Sequence, residues 1–148
     1  MKNVYKGVID VTGKDGVSLM EDTFHKNKWG RSWRNGIYSL HHYHSTAHEV
    51  LGVYSGTADV QFGGERGALY HVGAGDVVVI PAGVSHKCLK ASSDFQVVGA
   101  YPGGQVYDMC YGHEGERPQT DQNIASVPDP ETDPVYGKDG PLLLLWSK

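Results

Sequence analysis

The chain has few cysteines, no basic run and no long apolar stretch, and each scarcity closes off a class of protein. Cys88 and Cys110 are the only cysteines in 148 residues, too few for a disulfide framework. Both are expected to be reduced, which places the chain in the cytoplasm. Thirteen Lys and Arg stand against seventeen Asp and Glu, a net charge of −4 without a basic cluster. That balance argues against nucleic acid or an anionic membrane surface as a partner. The longest apolar run, Leu142 to Trp146, falls far short of the roughly 18 residues a membrane span needs. Met1 to Lys6 holds no apolar leader core, so secretion is not expected. The loop Gly63-Gly64-Glu65-Arg66-Gly67 lacks the Lys and Ser or Thr of a phosphate cradle.

What is abundant is glycine, at 20 residues, and tyrosine, at nine. The glycines punctuate short segments rich in Val, Ile, Tyr and Phe, the rhythm of an all-β sandwich or barrel. The length fits one domain, residues 1–148. Strands are expected at Val4–Val11, from Gly36 to His44, at Glu49–Tyr54, Thr57–Phe62, Ala68–Val72, Val77–Ile80, Lys87–Lys90 and Phe95–Tyr101. One short N-terminal helix is expected over Ser18–Lys28, with Ser18 and Glu21 as a capping box. Trp29 and Trp33 read as core packing at one end of the barrel. From about Pro102 the prolines Pro128, Pro130 and Pro134 mark a long surface segment. Leu142–Trp146 reads as a final buried strand, and its apolar density together with the first strand predicts a homodimer.

The chemistry is concentrated in two stretches. The first runs Gly36-x5-His42-x-His44-x4-Glu49-x6-Gly56, and the second Gly75-x5-Pro81-x-Gly83-x2-His86. On a strand His42 and His44 share one face, with Tyr38 and Leu40 at the same parity. Pro81-Ala82-Gly83 forms a corner that aims His86 inward. Three imidazoles and a carboxylate are the donor set a borderline divalent cation wants, and Fe, Ni, Mn and Zn all suit it. A lone buried His is more often a hydrogen-bonded core residue; four donors at these offsets point to metal. His41 and His48 have the outward parity. A rival register pairs His44 with His48, and Glu49 then leaves the site. His25, His71 and His113 read as solvent-facing. Cys88 shares parity with His86 and reads as a small buried hydrophobe, and Tyr38 as core or as a phenol near the metal.

The two stretches resemble the two motifs of the cupin superfamily, from Gly36 to about Lys90, with nine of ten fixed positions filled. The exception is Lys90, where the family usually has a non-ligating Asn. The wider text, WRNGIY, HHYHSTAHEVLGV, GDVVVIPAGVSHK, VVGAYPGG and TDPVYGKDGPLL, is similar to small single-domain bacterial cupins of the YjlB kind. The resemblance implies a cupin β-barrel (double-stranded β-helix, or jelly roll) and a metal on His42, His44, Glu49 and His86, but no substrate.

Four donors leave open positions for a small oxygenated ligand. An oxygenase or isomerase and a non-catalytic binding or sensor module are both compatible, since no separate general base stands out. Arg31 and Arg34 are the only close pair of arginines and are expected outside the barrel, against a phosphosugar substrate. Protons should compete with metal for three imidazoles, each up to about tenfold per pH unit, or about a thousandfold together.

Overall fold

Val77–Ile80 buries all four side chains, which requires a strand covered on both faces. The computed structural model describes residues 3–146 and shows how that cover is built. The elements run β1 (Asn3–Tyr5), α1 (Gly16–Lys26), β2 (Trp29–Asn35), β3 (Glu49–Ser55), β4 (Thr57–Phe62), β5 (Ala68–Gly73), β6 (Val77–Ile80), β7 (His86–Ala91), β8 (Gln96–Pro102), α2 (Gln119–Ser126) and α3 (Pro141–Trp146). Five strands form one antiparallel sheet in the order β1-β6-β3-β8-β2, and three form another in the order β5-β4-β7. Strand pairing does not close them into one continuous barrel.

Alternation along the strands divides the interior in two. Leu51, Val53, Val78, Ile80 and Val97 of the larger sheet meet Val60, Phe62, Val72 and Cys88 of the smaller one. The opposite parity, Val50, Val77, Val79, Val98 and Ala100, packs under Met20 and Phe24 of α1, with Trp29 and Leu142. Met20 and Phe24 are wholly buried, each contributing about 1.5–3 kcal/mol by transfer from water. Gly52 admits the helix: a Cβ there would lie 2.5 Å from Met20 Sδ.

Several expectations change in detail. The first strand is only Asn3–Tyr5, because Gly7 turns at φ +60° and its N–H is captured by Asp76 at 2.8 Å. The helix begins at Gly16 without a side-chain cap; Glu21 pairs with Arg34 instead of closing a capping box. The helix ends at Lys26, since Lys28 adopts φ 68°. Gly36 to His44 is not a strand: Tyr38 and Leu40 are exposed, and only isolated bridges form at His42 and Tyr43. Leu142–Trp146 is not a strand but belongs to α3. The segment after Pro102 is not all surface. It contains α2, and Asp133 is wholly buried, accepting hydrogen bonds from Tyr5 Oη at 2.5 Å and from the main-chain N–H of Val135, Tyr136 and Leu142.

Candidate metal centre

The irregular segment 36–48 carries His42 and His44, and three different neighbours hold it in place. His42 and His86 exchange main-chain hydrogen bonds at 3.1 and 2.8 Å, which ties the segment to β7. Tyr43 and Cys110 exchange another pair at 2.8 and 2.9 Å. The carbonyl of His44 accepts from Gly83 N–H at 2.8 Å, in the corner before β7. Side chains of residues 42 and 44 therefore point to the same side without a continuous strand between them. His86 opens β7 and Glu49 opens β3, so these two donors sit where regular elements begin.

The three imidazoles are buried, and their ligand atoms lie within 4.8 Å of one another. Ring centroids of His42 and His86 are 4.1 Å apart, and those of His44 and His86 5.5 Å. Glu49 is 2% exposed, with Oε1 3.3 Å from both His44 Nε2 and His86 Nε2. Its other oxygen accepts from Tyr101 Oη at 2.8 Å, and Tyr101 in turn accepts from Trp33 Nε1–H at 2.7 Å. Trp33 lies across Gly99, where a Cβ would come within 2.3 Å of the indole.

The Nδ1 atoms settle the tautomers. Each faces a main-chain carbonyl: Leu40 O at 3.0 Å for His42, Asp108 O at 2.6 Å for His44, and Val84 O at 3.3 Å for His86. A carbonyl only accepts, so each Nδ1 carries a proton and each neutral ring turns the Nε2 lone pair inward. Two lone pairs then face a carboxylate oxygen, an arrangement that repels unless a proton or a metal cation lies between. No hydrogen-bond partner reaches His44 Nε2. This is a donor set that fits a divalent cation.

The titration of the metal-free site reflects the same conflict. Burial, and then the neighbouring His86 imidazole, pushes His42 down to about 4. Burial also opposes charge on His44, but Glu49 outweighs it and the net direction is upward. Burial would raise Glu49, yet His44 and His86 hold it well below the usual carboxylate range. Burial, and then the Glu49 charge, raises the Tyr101 phenol.

The site floors a cavity of about 300 Å³, walled by Trp33, Ile37, Tyr38, Leu51, Tyr107 and Met109. Tyr107 stacks on Tyr101 at 4.9 Å and meets His44 edge-on at 5.3 Å. The strap that carries Tyr107 is anchored by Asp108, whose carboxylate accepts from Ser45 N–H at 2.6 Å and from the Ser45 hydroxyl.

The structure therefore brings His42, His44, Glu49 and His86 together. His48 turns away: its Nδ1 accepts from Ala82 N–H at 2.9 Å and its ring meets Trp146, so the register with His48 is not the one formed. His41 does not line the cavity. Cys88 is a small core residue. Tyr38 is half-exposed at the cavity wall, edge-on to His42 at 5.4 Å. His25, His71 and His113 are exposed. Arg34 is bound to Glu21 and Arg31 to Gly104 O, and neither lines the cavity. Tyr101, Tyr107 and Asp108 are functional neighbours that sequence reasoning missed. Tyr101 had a signal, sharing strand parity with the inward Val97; the carbonyl of Asp108 had none.

The cupin-domain family model matches residues 34–98. Over 145 residues the chain is 45% identical to the uncharacterized protein YjlB of Bacillus subtilis (strain 168), covering 98% of this chain and 85% of that protein. Among solved structures, acireductone dioxygenase from Bacillus anthracis, with a cadmium ion in its active centre, matches 72% of this chain and 82% of its own at 14% identity, with TM-score 0.44. A DUF861 family protein from Thermotoga maritima matches 67% of this chain and 97% of its own at 19% identity, with TM-score 0.42. Procruciferin, an 11S globulin from Brassica napus, matches 52% of this chain at 25% identity, with TM-score 0.41; the chain spans 21% of that globulin's length. The near full-length identity to YjlB, together with the matched cupin domain, makes this chain a member of the cupin superfamily, one of its small YjlB-like proteins.

Proposed function

We propose that residues 1–148 act as a single cupin domain holding one divalent metal ion, Fe, Ni, Mn or Zn, on the Nε2 atoms of His42, His44 and His86 and on Glu49 Oε1. The observation that carries this reading is the inward set of lone pairs. Three Nδ1–H groups are committed to carbonyls, and Glu49 Oε1 stands 3.3 Å from two Nε2 atoms. When bound, a divalent ion would supply Lewis acidity and a template for a small oxygenated ligand at its remaining open positions. The chain supplies the rest. Tyr101 occupies Glu49 Oε2 and so directs Oε1 inward, while Trp33 and Tyr107 buttress Tyr101. Ile37, Leu51 and Met109 limit water at the floor of the cavity.

The reaction we favour is a metal-dependent oxygenation or isomerisation. A non-catalytic small-molecule binding or sensor role is the second reading. It is supported by Glu49 being the only carboxylate on the cavity lining among the described residues, so no carboxylate there stands free of the proposed metal. Both buried cysteines are free, in keeping with the proposed cytoplasmic location. The homodimer proposed from the sequence keeps one support, the open edge that β1 presents; Leu142 is buried within its own chain.

The test is equilibrium dialysis of metal-stripped protein against Fe(II), Ni(II), Mn(II) and Zn(II) in turn, followed by elemental analysis. About one ion per chain is expected for at least one metal. No uptake of any of the four would refute the reading.

A further inference from the structure

The strap beside the cavity is fastened differently from the strands around it. It leaves β8 at Pro102, and Gly103 and Gly104 turn it at φ 62° and 69°, a conformation glycine adopts freely. At neither glycine would a Cβ meet an atom beyond its chain neighbours within 4 Å. Gly103 N–H donates to Lys28 O at 2.8 Å, and at the far end Cys110 is bridged to Tyr43. Between these fixed points, Val106 to Met109 make no main-chain to main-chain hydrogen bond among the described residues. Val106 is 63% exposed and Tyr107 41%. Segments with exposed side chains and few main-chain bonds are the ones that open locally in a native protein.

Side chains hold the strap instead, and its hydrogen-bond partners lie in residues 44–48, apart from the Cys110 thiol 3.4 Å from Asp108 Oδ2. Gln105 Oε1 accepts from His48 N–H at 3.1 Å, and Val106 O from Thr46 Oγ1–H at 2.8 Å. The Asp108 carboxylate takes both Ser45 donors, the N–H at 2.6 Å and the hydroxyl. Ser45 is wholly buried, and Asn123 of α2 donates to its hydroxyl oxygen at 3.1 Å, which fixes that side. Bonds to an ionised acceptor are the stronger ones in such a set, so Asp108 is the principal tether. It also acts in a second way. Its carbonyl accepts from His44 Nδ1–H at 2.6 Å, while Tyr107 and Met109 on either side of it line the cavity. Releasing the carboxylate therefore frees a cavity wall and a donor ring in one movement.

We infer that residues 105–109 open and close over the cavity as one unit, with Asp108 as the latch and as the positioning residue for His44. The consequence for His44 rests on the proposed metal centre; the opening of the strap does not.

Amide hydrogen exchange, resolved by residue in the metal-free full chain, tests the unit. Ser45 N–H and His48 N–H are the reporters, because both donate to strap side chains and Asp108 accepts only from the first. In the parent both should exchange through one common opening, faster than Val50 and Val79 in the paired strands. Asp108→Asn keeps the side chain's size and removes its charge. It should accelerate both reporters together, by about ten- to a hundredfold. Ser45→Ala removes one of the two donors and should accelerate both by less, which keeps the test valid if the first variant misfolds. In protein loaded with Zn(II), Asp108→Asn should release the ion to excess chelator about tenfold or more faster, which a merely structural role would not require. Acceleration of Ser45 alone, reporters that exchange only as slowly as Val50 and Val79, or Zn(II) release within twofold of the parent's would overturn the inference. A parent that binds none of the four ions would refute the metal centre and the coupling to His44, and the exchange result would still decide the strap.

Discussion

Tyr101→Phe isolates the part of the site that holds no metal but decides how the carboxylate is presented. The substitution keeps the ring, so it opens no cavity and leaves the stack on Tyr107 in place. It removes one oxygen that donates to Glu49 Oε2 at 2.8 Å and accepts from Trp33 Nε1–H at 2.7 Å. A hydrogen bond to a buried charged group contributes about 1.5–3 kcal/mol. Trp33 Nε1–H also loses its acceptor, but it is only half-buried and water can replace part of that bond. The metal-free fold should therefore lose about 1.5–3 kcal/mol, or roughly 3–12 °C in melting temperature for a chain of this size. Metal affinity should fall by about 10- to 100-fold, the usual consequence of losing a partner that orients a ligand. Two assays separate the effects: thermal denaturation of stripped protein, and competitive chelation of loaded protein. Melting lowered as expected with affinity unchanged within twofold would refute the reasoning, because Tyr101 would then be a core residue that does not position Glu49.

Metal affinity should fall as pH drops from 7.5 to 5, because metal binds only the neutral imidazole. His44 holds its proton above the ordinary range and must release it to metal, whereas His42, at about 4, is neutral throughout that interval. The slope should accordingly stay within about 10- to 100-fold per pH unit and not reach the thousandfold that three unperturbed histidines imply; a flat profile by chelator competition would contradict it. Asp133→Ala should destabilise the chain by about 2–4 kcal/mol, since Tyr5 Oη and three main-chain N–H groups lose a wholly buried acceptor, and a loss below about 1 kcal/mol in urea titration would refute that role. Sedimentation velocity at micromolar concentration should show a dimer; a monomer alone would remove β1 as a pairing edge.

The sequence made the site more legible than the elements that carry it. Hydrophobic alternation located β3, β4 and β6 within a residue, because each has one apolar parity or is apolar throughout. The donor spacing identified His42, His44, Glu49 and His86, yet the strand drawn through Gly36 to His44 does not exist. Alternation imitated a strand there, while the real constraint is three separate tethers at residues 42, 43 and 44. The final Leu-rich run carries no period that tells strand from helix; in the structure it forms α3, with Leu142 buried in the cluster that also holds Trp29 and Val98. Asp133 was hidden for a different reason: a carboxylate among prolines reads as surface, and its burial depends on donors more than a hundred residues away as well as beside it.

The central claim is tested most directly by the metal content of four variants, His42→Ala, His44→Ala, His86→Ala and His48→Ala, each loaded under identical conditions and measured by elemental analysis beside the parent. The parent and His48→Ala should hold about one ion per chain, because His48 Nδ1 is spent on Ala82 N–H, while each of the other three should lose most of its metal. Full occupancy in His42→Ala, His44→Ala and His86→Ala would contradict the account.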